Sequence, residues 1–453
     1  MLYRKIQLAI EEHLRSDSDK VLIVHGARQI GKSYIIRAVA KKVYKNFVEV
    51  NFADDFNGEK VFENVRTIDE LYFRLGMVSG ANLGSYSDTI VFLDEIQVYP
   101  QFLTMLKFLR EDRRYHFIAS GSLLGISLRN TTSIPIGSII LKEMYQLDFE
   151  EWLIANGWGA EAIDRLRQGY NNHESMDENV HSALMTQLRR YLIVGGLPDA
   201  VNAYLATHNV QKVREAQQTI HDLYKQDASK YEQDSNKQLL IRRIYDLIPS
   251  QMENKKKRIV AKDIQNKKGD RFGNYQEEFE YLISSGIAIG VNAISNPRYP
   301  LAESEQKNLL KLYMNDVGLL TNQLYHNNLK PLLDDECSVN LGAVYESFVA
   351  QELKSHGRKL FYYDNRSKGE VDFLTDDDGT SSILPIEVKS GKDYTVHSAL
   401  DNFLKVPDYG VQSALVLSNS REVRQDGRIV YMPIYHCMFA GLYQPKDASE
   451  YIF

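Results

Sequence analysis

The sequence predicts an α/β protein, with parallel strands and covering helices in its first third and a second α/β unit at its carboxyl end. Three observations predict this. Short apolar runs alternate with helix-like stretches over residues 20–150, the pattern of βαβ units with helices on both faces of a sheet. A glycine-containing loop follows the first of those runs and leads directly into a helical stretch. From about residue 335, a helix-like segment precedes three further runs of strand character.

Taken in order, the amino-terminal MLYRKIQLAIEEHLRSDSD places Leu2, Ile6, Ile10 and Leu14 four residues apart, on one helix face. It has no continuous apolar stretch followed by a small-residue cleavage site, so it reads as a surface helix and not as a signal peptide. KVLIV (20–24), FVEVN (47–51), TIVFLDE (89–95) and HFIASGS (116–122) read as buried parallel strands. Residues 151–235 are helical in pattern, interrupted by NNHESMDEN (171–179) and broken by the GGLP at 195–198. Residues 236–330 combine helical patterns, a basic stretch KKKR (255–258) and the alternation IAIGVNAIS (287–295). A small helical region closed by a hairpin is the pattern of a winged helix. The last unit, 335–453, opens with LGAVYESFVAQELKSHG (341–357) as a helix, followed by FYYDN, EVDFLTD and ILPIEVKSG as strands.

Composition sets limits on function. The chain has 453 residues, room for roughly three domains. It is 43% hydrophobic and 25% charged, ordinary for a soluble globular protein. No apolar run approaches the roughly 18 residues of a membrane helix, so no membrane partner is expected. Cys337 and Cys437 are its two cysteines. They exclude a disulfide framework and a cysteine-built zinc site, and they point to a reducing cytoplasm. The net charge of −6 excludes polyanion binding by bulk attraction but leaves room for a local basic patch.

The most specific signal is Gly26-Ala27-Arg28-Gln29-Ile30-Gly31-Lys32-Ser33, a complete G-x-x-x-x-G-K-S loop between a strand and a helix. Gly26 and Gly31 allow the tight turn, and the loop N–H groups with the helix N-terminus form a nest for phosphate. The pattern predicts ATP as ligand, Lys32 at the β- and γ-phosphates and the Ser33 hydroxyl on Mg²⁺. Arg28, Gln29, Ile30 and Tyr34 fall within the same contact set. A second half-site follows from Ile90-Val91-Phe92-Leu93-Asp94-Glu95. Asp94, at a strand's carboxyl end, is placed to hold Mg²⁺. Glu95 is placed to polarise the attacking water. Ser120 or Ser122, ending the strand Phe117–Ser122, offers a polar group toward the γ-phosphate. Arg110, Arg113, Arg114 and Arg129 are candidates for an arginine finger.

The last unit carries Gly369-Glu370-Val371-Asp372-Phe373 and then Ile386-Glu387-Val388-Lys389-Ser390. Strand alternation puts Glu387 and Lys389 on one face, with Asp372 on the preceding strand and Glu346 on the preceding helix. Two or three carboxylates beside a lysine are the means of holding one or two divalent metals, Mg²⁺ or Mn²⁺, at a phosphodiester. That is the arrangement of the PD-(D/E)xK nucleases.

With these residues in place, the chain resembles the archaeal-type AAA-family ATPases of prokaryotes. These pair a P-loop core with a PD-(D/E)xK-like domain of unknown function. The resemblance rests on GARQIGKS (26–33), VFLDEIQ (91–97), FIASGSLLG (117–125), DFEEWL (148–153), GGLPDAV (195–201), KLYMNDVGLL (311–320) and the GEVDF and IEVKS pair. It implies four parts: an additional-strand, catalytic-glutamate P-loop core over 1–150, a helical lid-like segment over 151–235, a winged-helix-like domain over 236–330 and a nuclease-like domain over 335–453. At 137–138, where some relatives carry Gly-Arg or Gly-Lys, this chain has Gly137-Ser138. Lys255, Lys256, Lys257, Arg258, Lys262, Lys267, Lys268 and Arg271 cluster in the winged-helix region and make DNA a candidate partner. The alternative is a nucleotide-switched signalling or defence protein that acts through a protein partner or by homo-oligomerisation.

Overall fold

Apolar runs that cannot stay in water dictate the first sheet. In the computed structural model, which describes residues 2–79, 83–122, 136–231, 234–254, 257–266, 269–304, 306–325, 328–334, 341–377, 379–391 and 393–442, the chain divides into two units. The first is Met1–Gln146 with Ser284–Gly286, and the second is the remainder.

The first unit is a five-stranded parallel sheet: β1 (Val21–His25), β2 (Asn46–Asn51), β3 (Thr89–Asp94), β4 (His116–Gly121) and β5 (Ile139–Glu143). The spatial order is β2-β3-β4-β1-β5. Every residue of β3 is buried, as expected of a strand covered on both faces. Helix α1 (Ile6–Arg15) and helix α2 (Lys32–Val43) follow the sequence expectation, with Ile10 and Leu14 buried on α1 and Ile35, Ile36, Val39 and Ala40 on α2. The four strands expected from sequence are present. The fifth has no comparable sequence signal, because it is an edge strand in which only Ile139 is fully buried and Leu141, Lys142 and Glu143 face outward. Register brings the site-bearing strand ends level. Val24 lies opposite Ser120, and Asn51 opposite Asp94, so the carboxyl ends of β1, β3 and β4 open on one edge.

The second unit contains an eight-stranded mixed sheet. Its strands are β6 (Ala288–Ile294), β7 (Gln306–Met314), β8 (Phe361–Asn365), β9 (Gly369–Asp377), β10 (Ser382–Lys389), β11 (Ala414–Ser418), β12 (Arg424–Asp426) and β13 (Ile429–Pro433). The order is β12-β13-β11-β10-β9-β8-β6-β7. The hairpin β6–β7 and the strands beyond residue 341, expected on opposite sides of a boundary near 335, are joined here: β6 pairs in parallel with β8 through Asn292 and Phe361, Ala293 and Tyr362, and Ile294 and Tyr363. Helix Gly342–Ser355 is buried from Ala343 to Leu353. It precedes an antiparallel β8–β9–β10 run, a helix Ser398–Leu404 and the parallel strand β11.

Three sequence segments find their reasons here. DFEEWL starts a helix: Asp148 accepts the Glu151 N–H at 2.8 Å, and Glu151 accepts the Asp148 N–H, a capping box. GGLP and NDVG meet in one knot. Asp316 accepts the Gly196 N–H at 2.7 Å and the Leu319 N–H at 3.1 Å. A Cβ on Gly195 (φ +74°) would collide with the Asp316 carboxylate, so only glycine fits. Among the described residues no helix is long and apolar enough to cross a membrane. Cys437 is a buried free thiol; Cys337 lies outside the described residues.

Candidate nucleotide site

The loop after β1 takes its shape from three residues with left-handed backbones: Gly26 (φ +143°), Gln29 (φ +62°) and Gly31 (φ +90°). At Gly26 a Cβ would strike the Met144 carbonyl, whose residue also donates its N–H to the His25 carbonyl at 2.7 Å. Ala27 and Ile30 are buried and anchor the loop to the core, whereas Gln29 faces solvent and Arg28 is half-buried. Tyr34 is 57% exposed, on the first turn of α2. Lys32 opens α2, and its Nζ donates to the carbonyls of Gly26 at 3.1 Å and Ala27 at 2.7 Å. The ammonium therefore lies over the mouth of the loop, beside the N-terminus of a twelve-residue helix, where an anion is favoured.

The acidic half-site stands at the end of β3. Ser33 Oγ donates to Asp94 Oδ1 at 3.0 Å, and Ser120 Oγ makes a short hydrogen bond to the same oxygen. Asp94 is 2% exposed. Burial pushes its carboxyl above the usual range, opposed by the two serine hydroxyls and reinforced by the charge of Glu95. Glu95 has a left-handed backbone (φ +54°). Its Oε2 accepts from Ser122 Oγ at 2.7 Å and, over a short contact, from Gln97 Nε2. Burial pushes Glu95 upward, but Lys32, the Gln97 and Ser122 hydrogen bonds and Arg28 together hold it below the ordinary carboxylate value. It is thus an ionised acceptor beside a cationic loop. The donor set fits an ATP-bound Mg²⁺: a hydroxyl and a buried carboxylate already share one locus.

The structure also gathers the expected carboxyl-terminal residues, but as ion pairs. Lys389 Nζ lies 2.9 Å from Glu387 Oε1, and Asp372 accepts the Val388 N–H at 2.8 Å. Glu346 makes a short contact with Lys257 and accepts from the Tyr313 hydroxyl at 3.4 Å. Lys311, fully buried, pairs with Glu370 at 2.6 Å. Burial, then the charges of Asp372 and Glu346, push Glu387 up to about 8 against the pull of Lys389. Among the described residues no group of three or more His, Cys, Asp or Glu is arranged to hold a metal ion. The expected metal-ligand role of Glu346, Asp372 and Glu387 therefore finds no support in such a group. Lysines and a backbone N–H take part of their hydrogen-bonding capacity, while Glu387 Oε2 is buried without a hydrogen-bond partner. The basic stretch changes its meaning for the same reason. Lys257 and Arg258 are tied to Glu346 and to Asp364, the latter at 2.8 Å, while Lys255, Lys256, Lys267 and Lys268 lie outside the described residues.

Comparison with known proteins gives a match over the amino-terminal third of the chain. Residues 18–153 match the family model described as an AAA domain. This part of the chain is similar to AAA domains. Two domains of unknown function match further on, DUF8612 over 185–330 and DUF4143 over 341–437. No curated relative matches the sequence. Solved structures with similarity include a Walker-type ATPase of Pyrococcus abyssi (14% identity, 72% of this chain and 96% of that one, TM-score 0.42). The ORC2 protein of Aeropyrum pernix is similar at 15% identity over 77% and 92%, TM-score 0.32. The RuvB branch migration motor of Thermotoga maritima is similar at 14% identity over 63% and 86%, TM-score 0.27.

Within the AAA domain, the arginine-finger candidates from sequence do not approach the loop. Arg110 and Arg113 pair with Asp19, at 2.7 and 3.5 Å, ahead of β1 and so at the sheet's other end. Arg114 pairs with Asp112 and lies over the Tyr72 ring. Arg129 lies outside the described residues. Two residues escape a reading of the sequence. Gln97 sits in the VFLDEIQ segment, which is the available signal, but its role emerges only from its contact with Glu95. Arg4 is buried, with Nη1 donating to the Ile30 carbonyl at 2.9 Å and Nη2 to the Tyr145 carbonyl; nothing in the sequence around it announces a strut for the loop.

Proposed function

We propose that the AAA domain binds ATP with Mg²⁺ at residues 26–33 and hydrolyses it, with Glu95 as general base. The observation that carries this reading is the 3.0 Å contact between Ser33 and Asp94, the hydroxyl and carboxylate that share Mg²⁺ in P-loop enzymes, with Glu95 next in the chain. Mg²⁺ supplies charge neutralisation of the β- and γ-oxygens. The chain's own groups do the rest. The loop N–H groups and Lys32 hold the phosphates, Ser33 and Asp94 hold the cation, and Ser122 and Gln97 orient Glu95. Glu95 takes the proton of the attacking water. Ser120 fixes Asp94 instead of facing the γ-phosphate.

The helix, antiparallel β8–β9–β10, helix, parallel β11 order supports a restriction-endonuclease-like reading of the last segment. The helices and hairpin before it support a winged-helix-like one. Glu346 and Glu387 each pair with a lysine, Lys257 and Lys389, which leaves metal-dependent cleavage there without support. Coupling of turnover to DNA loses two of its phosphate contacts, Lys257 and Arg258, to internal pairing.

Phosphate release and nucleotide binding by wild type, Lys32→Ala and Glu95→Gln test the reading. Lys32→Ala should abolish nucleotide binding, and Glu95→Gln should retain ATP while stopping turnover. Normal turnover by Glu95→Gln would remove Glu95 as base.

A further inference from the structure

Four side chains leave the P-loop in three directions, and one of them crosses to the end of β4. Ala27 and Ile30 enter the core and Gln29 points to solvent. Arg28 instead reaches Ser122, its Nε donating to Ser122 Oγ at 3.3 Å. Ser122 is buried and itself donates to Glu95 Oε2 at 2.7 Å. A chain Arg28–Ser122–Glu95 therefore spans the mouth of the loop, with Gln97 Nε2 closing it at 3.4 Å from Ser122. Lys32 covers the opposite side, over the carbonyls of Gly26 and Ala27. The general base must stand beside the γ-phosphate to reach the attacking water. A guanidinium one hydroxyl away from that base is consequently on the γ side of the site. The arginines of the helix before β4 are tied down at the sheet's far end and Arg37 is held in an ion pair with Glu49 at 2.6 Å, whereas Arg28 stands one hydroxyl away from Glu95.

We propose that Arg28 is a catalytic cation supplied from within the P-loop, exchanging its Ser122 contact for the γ-phosphate oxygens when ATP binds. In the step it serves, the water oxygen forms a bond to the γ-phosphorus and the water proton passes to Glu95. The bond from phosphorus to the β–γ bridging oxygen breaks, its electron pair staying with ADP. Arg28 stabilises the charge on the equatorial oxygens, the role an arginine finger plays from a neighbouring chain. Its departure from Ser122 leaves that hydroxyl to Glu95 alone. The inference rests on the ATPase reading above and adds to it that the finger acts in the chain's own site.

The test uses the full chain as wild type, Arg28→Ala and Arg28→Lys. Three readouts are needed: phosphate release, affinity for ADP and affinity for a slowly hydrolysed ATP analogue. Arg28→Ala should lower kcat by roughly 10²–10³-fold, the effect of removing one transition-state donor. It should weaken the ATP analogue and leave ADP affinity unchanged. Arg28→Lys should recover part of the loss, retaining charge without the planar fork. Mixing Arg28→Ala with Lys32→Ala should restore nothing. Unchanged kcat, an equal loss of ADP and ATP-analogue affinity, or recovery of activity on mixing would each overturn the proposal. If wild type does not hydrolyse ATP, the ATPase reading fails. The γ-phosphate contact is then still judged by whether Arg28→Ala erases the preference for the ATP analogue over ADP.

Discussion

Replacing Ser122 by alanine removes one of the two side-chain donors to Glu95 Oε2 and, with it, the acceptor of the Arg28 Nε–H. The lost bond is 2.7 Å long and ends on a carboxylate, so it belongs to the charge-assisted class of about 1.5–3 kcal/mol. Losing it moves the Glu95 carboxyl back upward, because the Ser122 hydrogen bond is one of the groups that hold it low. The sign follows from what the bond favours. A donor stabilises the ionised form, so without it the carboxyl protonates at higher pH and loses its function as a base there. The pH dependence of kcat, measured by phosphate release from pH 4 to 8, should show its acid limb displaced upward, with little change on the plateau. Gln97→Leu should displace it in the same direction. An acid limb that stays put in both variants would refute the view that this pair holds Glu95 ionised, and a collapse of the plateau would show that Ser122 has a further role in the chemical step.

The second unit offers three more tests. Asp316→Ala leaves the N–H groups of Gly196 and Leu319 buried without their acceptor, and should cost about 2–4 kcal/mol in urea unfolding. His436 is buried, and that burial depresses its imidazole to about 3. The unfolded chain then takes up the proton first, so stability falls as pH drops below about 6.5, by about 1.4 kcal/mol per unit. His436→Leu should flatten that fall, seen in unfolding midpoints between pH 7 and 5. Lys257→Ala strands Glu346 as a buried carboxylate and should lower stability by about 3–5 kcal/mol, whereas Lys257→Ala with Glu346→Gln should recover much of it.

The nucleotide site was legible because its chemistry is written in contiguous residues. A strand, a glycine turn and Lys32-Ser33 stand in one run, and Asp94-Glu95 end another apolar run, so local periodicity places both on the same sheet edge. What escaped was non-local. Arg4 meets carbonyls 26 and 141 residues away, and no local pattern encodes such a partner. β5 escaped because an edge strand needs few buried side chains. The carboxylates of the last segment were legible as a set, but their neutralisation was not: Lys257 and Lys311 come from segments far upstream of Asp372 and Glu387. The same holds for the pairing of β6 with β8, which is a backbone contact with no side-chain signature of its own.

That pairing bears on how the chain can be taken apart. A cut between the helix ending at Asp334 and the one beginning at Gly342 looks harmless in sequence. It would strip β8 of one of its two partners and leave bare N–H and C=O groups along Phe361–Tyr363, an invitation to self-association. The hairpin, cut loose in turn, would be too small to hold its shape in water. The carboxyl-terminal segment is accordingly no portable cassette: graft, deletion or fragment must carry Ala288–Met314 with it or trade a covered strand for a sticky edge.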